Sequence, residues 1–263
     1  MSSELGTGAA PDGDEDAIVG MIFALKAIEA NGSFPSWYDD VRKWADASCS
    51  SFLQHNTVVG QYEARLLKLG SCWGGWDNQG QNPSYHSPGS FKIMRDFHVA
   101  FPDGDRDYTV PDYGNGDLMS HWQRLIDTSY AVFDATQCPD EGMFPNWATI
   151  TQSGTDIEHA GIDFSGSNTP QREFGSEASR TIWRLALDAA IYPSEIPTDT
   201  ERFLERIVDT LDYGFVENDS GSKYWSSNTV RTVHGGCDCV FVYLSWHHSQ
   251  WECIGLLSLL VLG

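Results

Sequence analysis

The 263-residue chain carries 37 Asp and Glu against 16 Lys and Arg, a formal net charge of -21, with 41% hydrophobic and 20% charged residues. This is the composition of a folded chain rather than a disordered or membrane-embedded one, and the length suffices for one large core with no linker to divide it. The negative charge repels phosphate backbones and anionic bilayers, which argues against nucleic acid and membrane partners and leaves a neutral ligand as the better fit. Ten Trp, ten Tyr and 13 Phe supply flat apolar faces for a core or for stacking on sugar rings. Six Cys are too few for a dense disulfide framework, and no compartment follows from their number.

In chain order, residues 1–5 lack a basic segment followed by an apolar run and do not read as a signal peptide. From Asp14 onward Ala17, Ile18, Met21, Ile22, Leu25 and Ile28 recur at three- and four-residue steps, which predicts a first helix. Its entry is the carboxylate-rich turn Asp12-Gly13-Asp14-Glu15-Asp16, and Asn31-Gly32-Ser33 breaks it. Ser36 is expected to cap a second helix carrying Trp37, Val41, Trp44 and Phe52, so the two form a hairpin. Further helices are expected at residues 88–97, 118–135, 177–192 and 199–215. Residues 74–87 and 103–116, rich in Gly, Asn, Asp and Pro, read as long loops. With no convincing period-two run, the expectation is an all-α fold of helical hairpins. The apolar run at residues 254–262 is about half of the ~20 residues a membrane helix needs. It reads as a buried helix or strand, or an aberrant tail.

Four places carry residue types suited to chemistry. The acidic turn at Asp12 and Asp14 heads a helix, where carboxylates ordinarily satisfy free N–H groups and the helix dipole for roughly 0.3–1 kcal/mol each. Calcium binding is a weak alternative, because the downstream Glu of an EF-hand is absent from the spacing. Glu177, with Arg180 and Arg184 following, heads another helix and reads either as a surface ion pair or as a base held by Arg. Two carboxylates heading separate helices can face each other across a cleft, as acetal hydrolysis requires. The stretch Cys72-Trp73-Gly74-Gly75-Trp76-Asp77-Asn78, then Asn82-Pro83-Ser84-Tyr85-His86-Ser87-Pro88, combines aromatic, amide and carboxylate groups suited to a polyhydroxylated ligand. His234, Cys237, Cys239, His247, His248 and Cys253 have spacings that miss the usual zinc pattern, so no metal site and no cofactor are expected.

Several of these segments, in this order, resemble glycoside hydrolase family 8. Ala10-Pro11-Asp12-Gly13-Asp14 is similar to the family signature Ala-Ser/Thr-Asp-Ala/Gly-Asp, with Pro11 replacing the hydroxyl residue. Trp73-Gly74-Gly75 and Asn82-Pro83-Ser84-Tyr85 with Ser87-Pro88 resemble its Trp-Gly-Gly…Asn-Pro-Ser-Tyr-x-Ala/Ser-Pro stretch. Gly142-Met143-Phe144-Pro145-Asn146-Trp147 resembles Gly-Leu-Val-Pro-Asp-Trp, with Asn146 for the acid. Glu177-Ala178-Ser179-Arg180 with Trp183-Arg184 resembles Asp-Ala-x-Arg-x-x-Trp-Arg.

The resemblance implies an (α/α)₆ barrel, an open cleft for a β-glycan, and hydrolysis with inversion. Cellulose, chitosan, xylan and mixed-linkage glucan are the substrates it brings into range. It implies that Asp12 holds the sugar at the cleavage point, Glu177 is the general base with Arg180 beside it, and Tyr85 orients water or sugar. Trp73 stacks on a neighbouring ring, with Asp14 and Trp76 as further substrate contacts. Ser176 stands where the family often has Tyr. An extracellular monomer with no cofactor is expected on the same ground.

In the family a Glu on a helix before the Asp-rich signature acts as general acid. Here Glu4 is the sole Glu upstream of Asp12 and sits in no helical pattern, so that helix is expected to be missing. After His234-Gly235-Gly236 the resemblance stops, which leaves a partial barrel over residues 8–236, an atypical tail over 237–263, and the last helices missing. A general acid contributes typically 10²–10⁴-fold, so the chain is expected to be weak or inactive by itself. Three readings compete: an inverting endo-β-glycanase whose end segments are absent from this chain, a non-catalytic glycan-binding remnant of that family, and an unstable fragment.

Overall fold

A computed structural model describes residues 8–138, 142–161, 177–197, 200–217 and 223–225. Among them are six α-helices: α1 (Pro11–Asn31), α2 (Tyr38–His55), α3 (Pro88–Ala100), α4 (Leu118–Thr136), α5 (Ser179–Ile191) and α6 (Thr200–Gly214). Short strands lie between them: β1 (Thr57–Val59), β2 (Arg65–Leu67), β3 (Asp77–Gln81), β4 (Ala148–Ser153), β5 (Asp156–Gly161), β6 (Phe215–Glu217) and β7 (Lys223–Trp225). The fold is mostly helical, as the hairpin pattern predicts, with no closed sheet among the described residues, and of the (α/α)₆-barrel type that the resemblance implies.

Its logic is a chain of hairpins around a central helix. α1 packs on α2, α3 on α4, and α5 on α6, while α1 and α5 both pack on α3. α3 is accordingly buried along most of its length, from Pro88 to His98 with few exceptions. Gly89 permits its close approach to α5: a Cβ there would stand 2.9 Å from the Asp188 Cα. The main core joins Ile18, Ile22, Leu25, Phe52, Phe91, Trp122, Phe133 and Leu185 from five helices. A smaller cluster of Leu66, Val132, Ala148 and Ile150 sits under the strands.

Local sequence explains the helix ends. Pro11 occupies the first turn of α1, where a missing N–H costs nothing, and Gly32 ends the helix at φ 67°, donating to the Ile28 and Glu29 carbonyls. The Asp117 carboxylate accepts from Ser120 N at 2.8 Å and starts α4. α2 begins at Tyr38 with Trp37, not Ser36, at the N-cap position and no side-chain cap. Its core side is Ala45, Cys49, Phe52 and Leu53, so Trp37 and Trp44 are exposed, against the expected apolar face.

Part of the expected loop over residues 74–87 is strand. β3 is the edge of an antiparallel sheet of order β3-β4-β5, pairing at Asp77 with Ile150 and at Gln81 with Ala148 across an irregular register. The polar sequence Asp-Asn-Gln-Gly-Gln shows no period-two signal, because the strand is held by its partner's backbone rather than by its own apolar face. No helix of the described residues is long and apolar enough to cross a membrane.

One buried ion pair ties three helices. Lys92 of α3 donates to Asp188 of α5 and to the Tyr130 hydroxyl of α4, both at 2.8 Å, and Tyr130 in turn donates to Asp188. Burial raises the Asp188 carboxyl against the lowering effect of Lys92 and Tyr130. Removing one partner of such a pair costs about 3–5 kcal/mol, because the other charge stays buried. Lys92→Met is therefore expected to lower the midpoint of a thermal melt by roughly 10 °C. A midpoint within about 2 °C of the parent would remove this pair from the account of stability.

Candidate functional site

The N-terminal ends of α1 and α5 and the turn leading into α3 meet at one end of the helical layer. Asp12 lies in the first turn of α1, Glu177 and Arg180 flank the start of α5, and Tyr85 closes the 3₁₀ turn Pro83–Tyr85 before α3. Helix N-termini favour negative charge by roughly 0.3–1 kcal/mol each at exposed sites. Two carboxylates at such ends are therefore well placed, and a cation lies between them.

That cation is Arg180. Its Nη1 donates to Asp12 Oδ2 and its Nη2 to Glu177 Oε2, so one guanidinium holds a carboxylate on each arm. Glu177 Oε2 also accepts from Asn82 Nδ2 at 2.9 Å. The Arg180 guanidinium lies over the Tyr85 ring, 5.3 Å from its centroid. Asp12, Glu177 and Arg180 are 15%, 28% and 31% exposed, which leaves the cluster reachable from solvent. The Tyr85 phenol is pushed up to about 12, first by burial and then by the Asp12 and Glu177 charges, so it remains a hydrogen-bond donor across the ordinary pH range.

Neighbouring residues fix these groups. Asn82 Oδ1 accepts from Ser84 N at 2.9 Å and from the Ser84 hydroxyl at 2.8 Å, which closes the turn and aims its amide at Glu177. The His86 ring is clamped between the Gln81 side chain at 3.0 Å and the Ser129 hydroxyl at 2.9 Å. Burial lowers that imidazole to about 3, so it is a neutral strut carrying the Tyr85 turn. Trp147 meets Tyr85 edge to face at 6.1 Å. Asn146 Oδ1 accepts from Ala178 N at 3.0 Å, fastening the start of α5 where the resemblance has an acid.

The structure thus brings Asp12, Glu177, Arg180 and Tyr85 together. Asp14 points elsewhere, accepting from Asn56 Nδ2 at 3.1 Å at the end of α2. It borders a surface depression of about 350 Å³ lined by Ala9, Ser51, His55, Asn56, Ser71 and Cys72. Trp73 is half exposed beside this depression, its indole against Gly70 and Gly8. The loop carrying it is tied to the entry of α1 by Ser71 N donating to the Ala9 carbonyl at 3.1 Å. Gly74, at φ 85°, is required there: a Cβ would collide with the Leu69 backbone. Trp76 instead packs on Gly60 and the small cluster under the strands, away from the Arg180 groups. Phe174, Gly175, Ser176, His234, Cys237, Cys239, His247, His248 and Cys253 lie outside the described residues, as do residues 1–5 and 254–262. Among the described residues no group of three His, Cys, Asp or Glu is arranged to hold a metal ion.

Two contributors were not singled out by residue type alone. Asn82 was visible only as a letter in the Asn-Pro-Ser-Tyr stretch, and its contact with Glu177 joins positions 95 residues apart. Glu15, one carboxylate of the acidic turn, is fully buried, its Oε1 accepting from Arg184 at 2.7 Å, while Arg184 also holds Asp16.

No family model matches the chain. Endoglucanase C of Ruminiclostridium cellulolyticum is 27% identical over 229 residues, which are 86% of this chain and 41% of that protein. Endoglucanase 2 of Ruminiclostridium josui is 28% identical over 185 residues, 70% of this chain and 31% of that one. The chain therefore spans less than half the length of these curated relatives. Among solved structures, Rex8A from Paenibacillus barcinonensis complexed with xylose superposes with a TM-score of 0.54 at 20% identity, covering 78% of this chain and 46% of that one. Endo-β-1,4-glucanase CMCax from Acetobacter xylinum superposes at 0.55 and 16% identity, covering 97% and 70%. The solved structures share the fold, and together with the endoglucanases they support a family-level resemblance to glycoside hydrolase family 8-like enzymes.

The buried Glu15 has a pH signature. Burial pushes its carboxyl up to about 8, more than the Arg184 charge lowers it, and the neighbouring Asp16 charge adds to the rise. The folded chain then keeps a proton that the unfolded chain releases near 4.5, so this group's contribution to stability falls as pH rises from about 4.5 to about 8. Glu15→Gln abolishes that dependence. Thermal melts across this range are expected to show the variant gaining on the parent with rising pH; a difference independent of pH contradicts the assignment.

Proposed function

We propose that this chain carries the sugar-binding and base-bearing part of an inverting β-1,4-glycanase of the family 8 kind, in one domain over residues 8–236. The observation that carries this reading is the Arg180 guanidinium holding Asp12 and Glu177, with Asn82 donating to the second carboxylate and the Tyr85 ring against the guanidinium. In it, Glu177 takes a proton from the attacking water. A base must be held in place to meet the water it activates, and Arg180 and Asn82 hold Glu177 by donating to the same oxygen. Asp12 accepts from sugar hydroxyls at the cleavage point, and the Tyr85 hydroxyl donates to orient water or sugar.

Trp73 supplies a half-exposed ring for stacking on a neighbouring sugar, with Asp14 bordering the same depression. Trp76 acts on substrate indirectly, by supporting the loop that carries Trp73. The net charge of -21 suits a neutral glycan over an anionic polymer. An extracellular monomer without cofactor or metal completes the reading, which rests there on the resemblance alone. Cellulose, chitosan, xylan and mixed-linkage glucan remain the candidate polymers.

One observation favours a second reading, glycan binding without turnover. The described residues around Arg180 supply a base and a sugar-holding carboxylate, and neither is placed as an acid for the leaving oxygen. Incubation of the purified chain with β-1,4-linked glucan, xylan and chitosan hexasaccharides separates the two. The hydrolytic reading expects NMR to detect the α-anomer of the new reducing end first, at a rate that Glu177→Gln lowers on the order of 10²–10⁴-fold. Trp73→Ala is expected to weaken calorimetric affinity about tenfold. Binding without sugar release selects the second reading, and absence of both contradicts the site.

A further inference from the structure

α1 and α5 each pack on α3, and two rungs of hydrogen-bonded side chains centred on Arg180 and Arg184 join them directly. The upper rung is Asp12 to Arg180. The lower rung is one turn further along both helices: Arg184 donates to Glu15 at 2.7 Å and holds both Asp16 oxygens. Asp12 and Glu15 are three residues apart and Arg180 and Arg184 four apart, which is the spacing of neighbours on a helix surface. Glu15 and Arg184 of the lower rung are fully buried and Asp16 is half exposed. The Arg184 guanidinium lies 4.2 Å from the Trp183 ring centroid, and the hydroxyls of Ser87, just before α3, and of Ser90 in α3 face Glu15.

Burying such groups is costly, and apolar side chains of similar volume often match or exceed a buried ion pair in stability. What the Arg184 rung adds is direction: a planar guanidinium fork donates to its partners at one angle and one height along the helix. We propose that Glu15 and Arg184 form a positioning pair that sets the axial register of α1 against α5, so that Arg180 reaches Asp12 and Glu177 at once. The catalytic part of this inference rests on the hydrolytic reading of the site; the geometric part does not. The other charged groups acting on the pair are Asp12 and Asp16 from α1, and Ser87 and Ser90 hydrogen-bond Glu15 from the α3 side.

The test is the full chain carrying Glu15→Leu with Arg184→Met, an apolar pair of similar volume. Its thermal midpoint is expected within a few degrees of the parent. Nitrogen-15 NMR of the Arg180 guanidinium is expected to show separate Nη1 and Nη2 signals in the parent, each arm being held, and one averaged signal in the variant. Sugar release is expected to fall on the order of 10²-fold with KM within about threefold, as a misplaced base predicts. Retained separate signals, or unchanged kcat in a folded variant, overturn the proposal. Should the parent release no sugar, the hydrolytic reading fails alone and the Arg180 signals still decide the register. Should the double variant fail to fold, Arg184→Lys decides: it keeps the charge without the fork, so averaged Arg180 signals support the proposal and separate ones overturn it.

Discussion

Two carboxylates brought to the same end of a helical layer repel each other unless a cation stands between them, and here that cation is Arg180. Its two arms serve different helices: Asp12 belongs to α1, and Glu177 immediately precedes α5. A lysine ammonium would neutralise charge without fixing both partners in one plane, whereas a guanidinium imposes direction on each. The rest of the site follows from keeping that fork in place. Asn82 donates to the same Glu177 oxygen as Arg180, Tyr85 lies under the guanidinium, and Asn146 fastens the start of α5.

The same face of α5 continues the theme below the site. Arg180, Arg184 and Asp188 recur every four residues and meet, in turn, Asp12, Glu15 with Asp16, and Lys92 with Tyr130. A helix interface built from apolar side chains tolerates sliding and repacking, while one built from directional charge pairs has a single register. The desolvation of these groups is only partly offset by their pairing, and the apolar core of Phe52, Phe91, Trp122 and Phe133 provides the net stability. Binding geometry and stability are thus divided between two kinds of contact along one helix.

The helices were legible in the sequence because their apolar residues recur at the helical period and their ends carry Gly, Pro and Asp. The stop at Gly32 and the start at Asp117 illustrate how local chemistry settles a boundary. β3 was illegible, since a polar edge strand draws its order from pairing with β4 and leaves no pattern of its own. Trp37 and Trp44 misled for the opposite reason: they are apolar and fall at helical spacing, yet the core side of α2 is set by Ala45, Cys49, Phe52 and Leu53. The site residues were gathered by resemblance, not by spacing, because Asp12 and Arg180 are 168 positions apart and no periodicity spans that distance. Glu15 shows the limit most plainly. Nothing in its neighbours distinguishes it from Asp14 or Asp16, and only its height on the core stripe shared with Ile18, Ile22 and Leu25 buries it.

The central claim is that the groups gathered by Arg180 form a sugar site. A crystal structure of the chain with a bound β-1,4-linked oligosaccharide tests it most directly. The account predicts a sugar ring within hydrogen-bond distance of Asp12 and Glu177, a neighbouring ring against the Trp73 indole, and Arg180 still holding both carboxylates. A ligand seated elsewhere, with Arg180 released from either carboxylate, would contradict it.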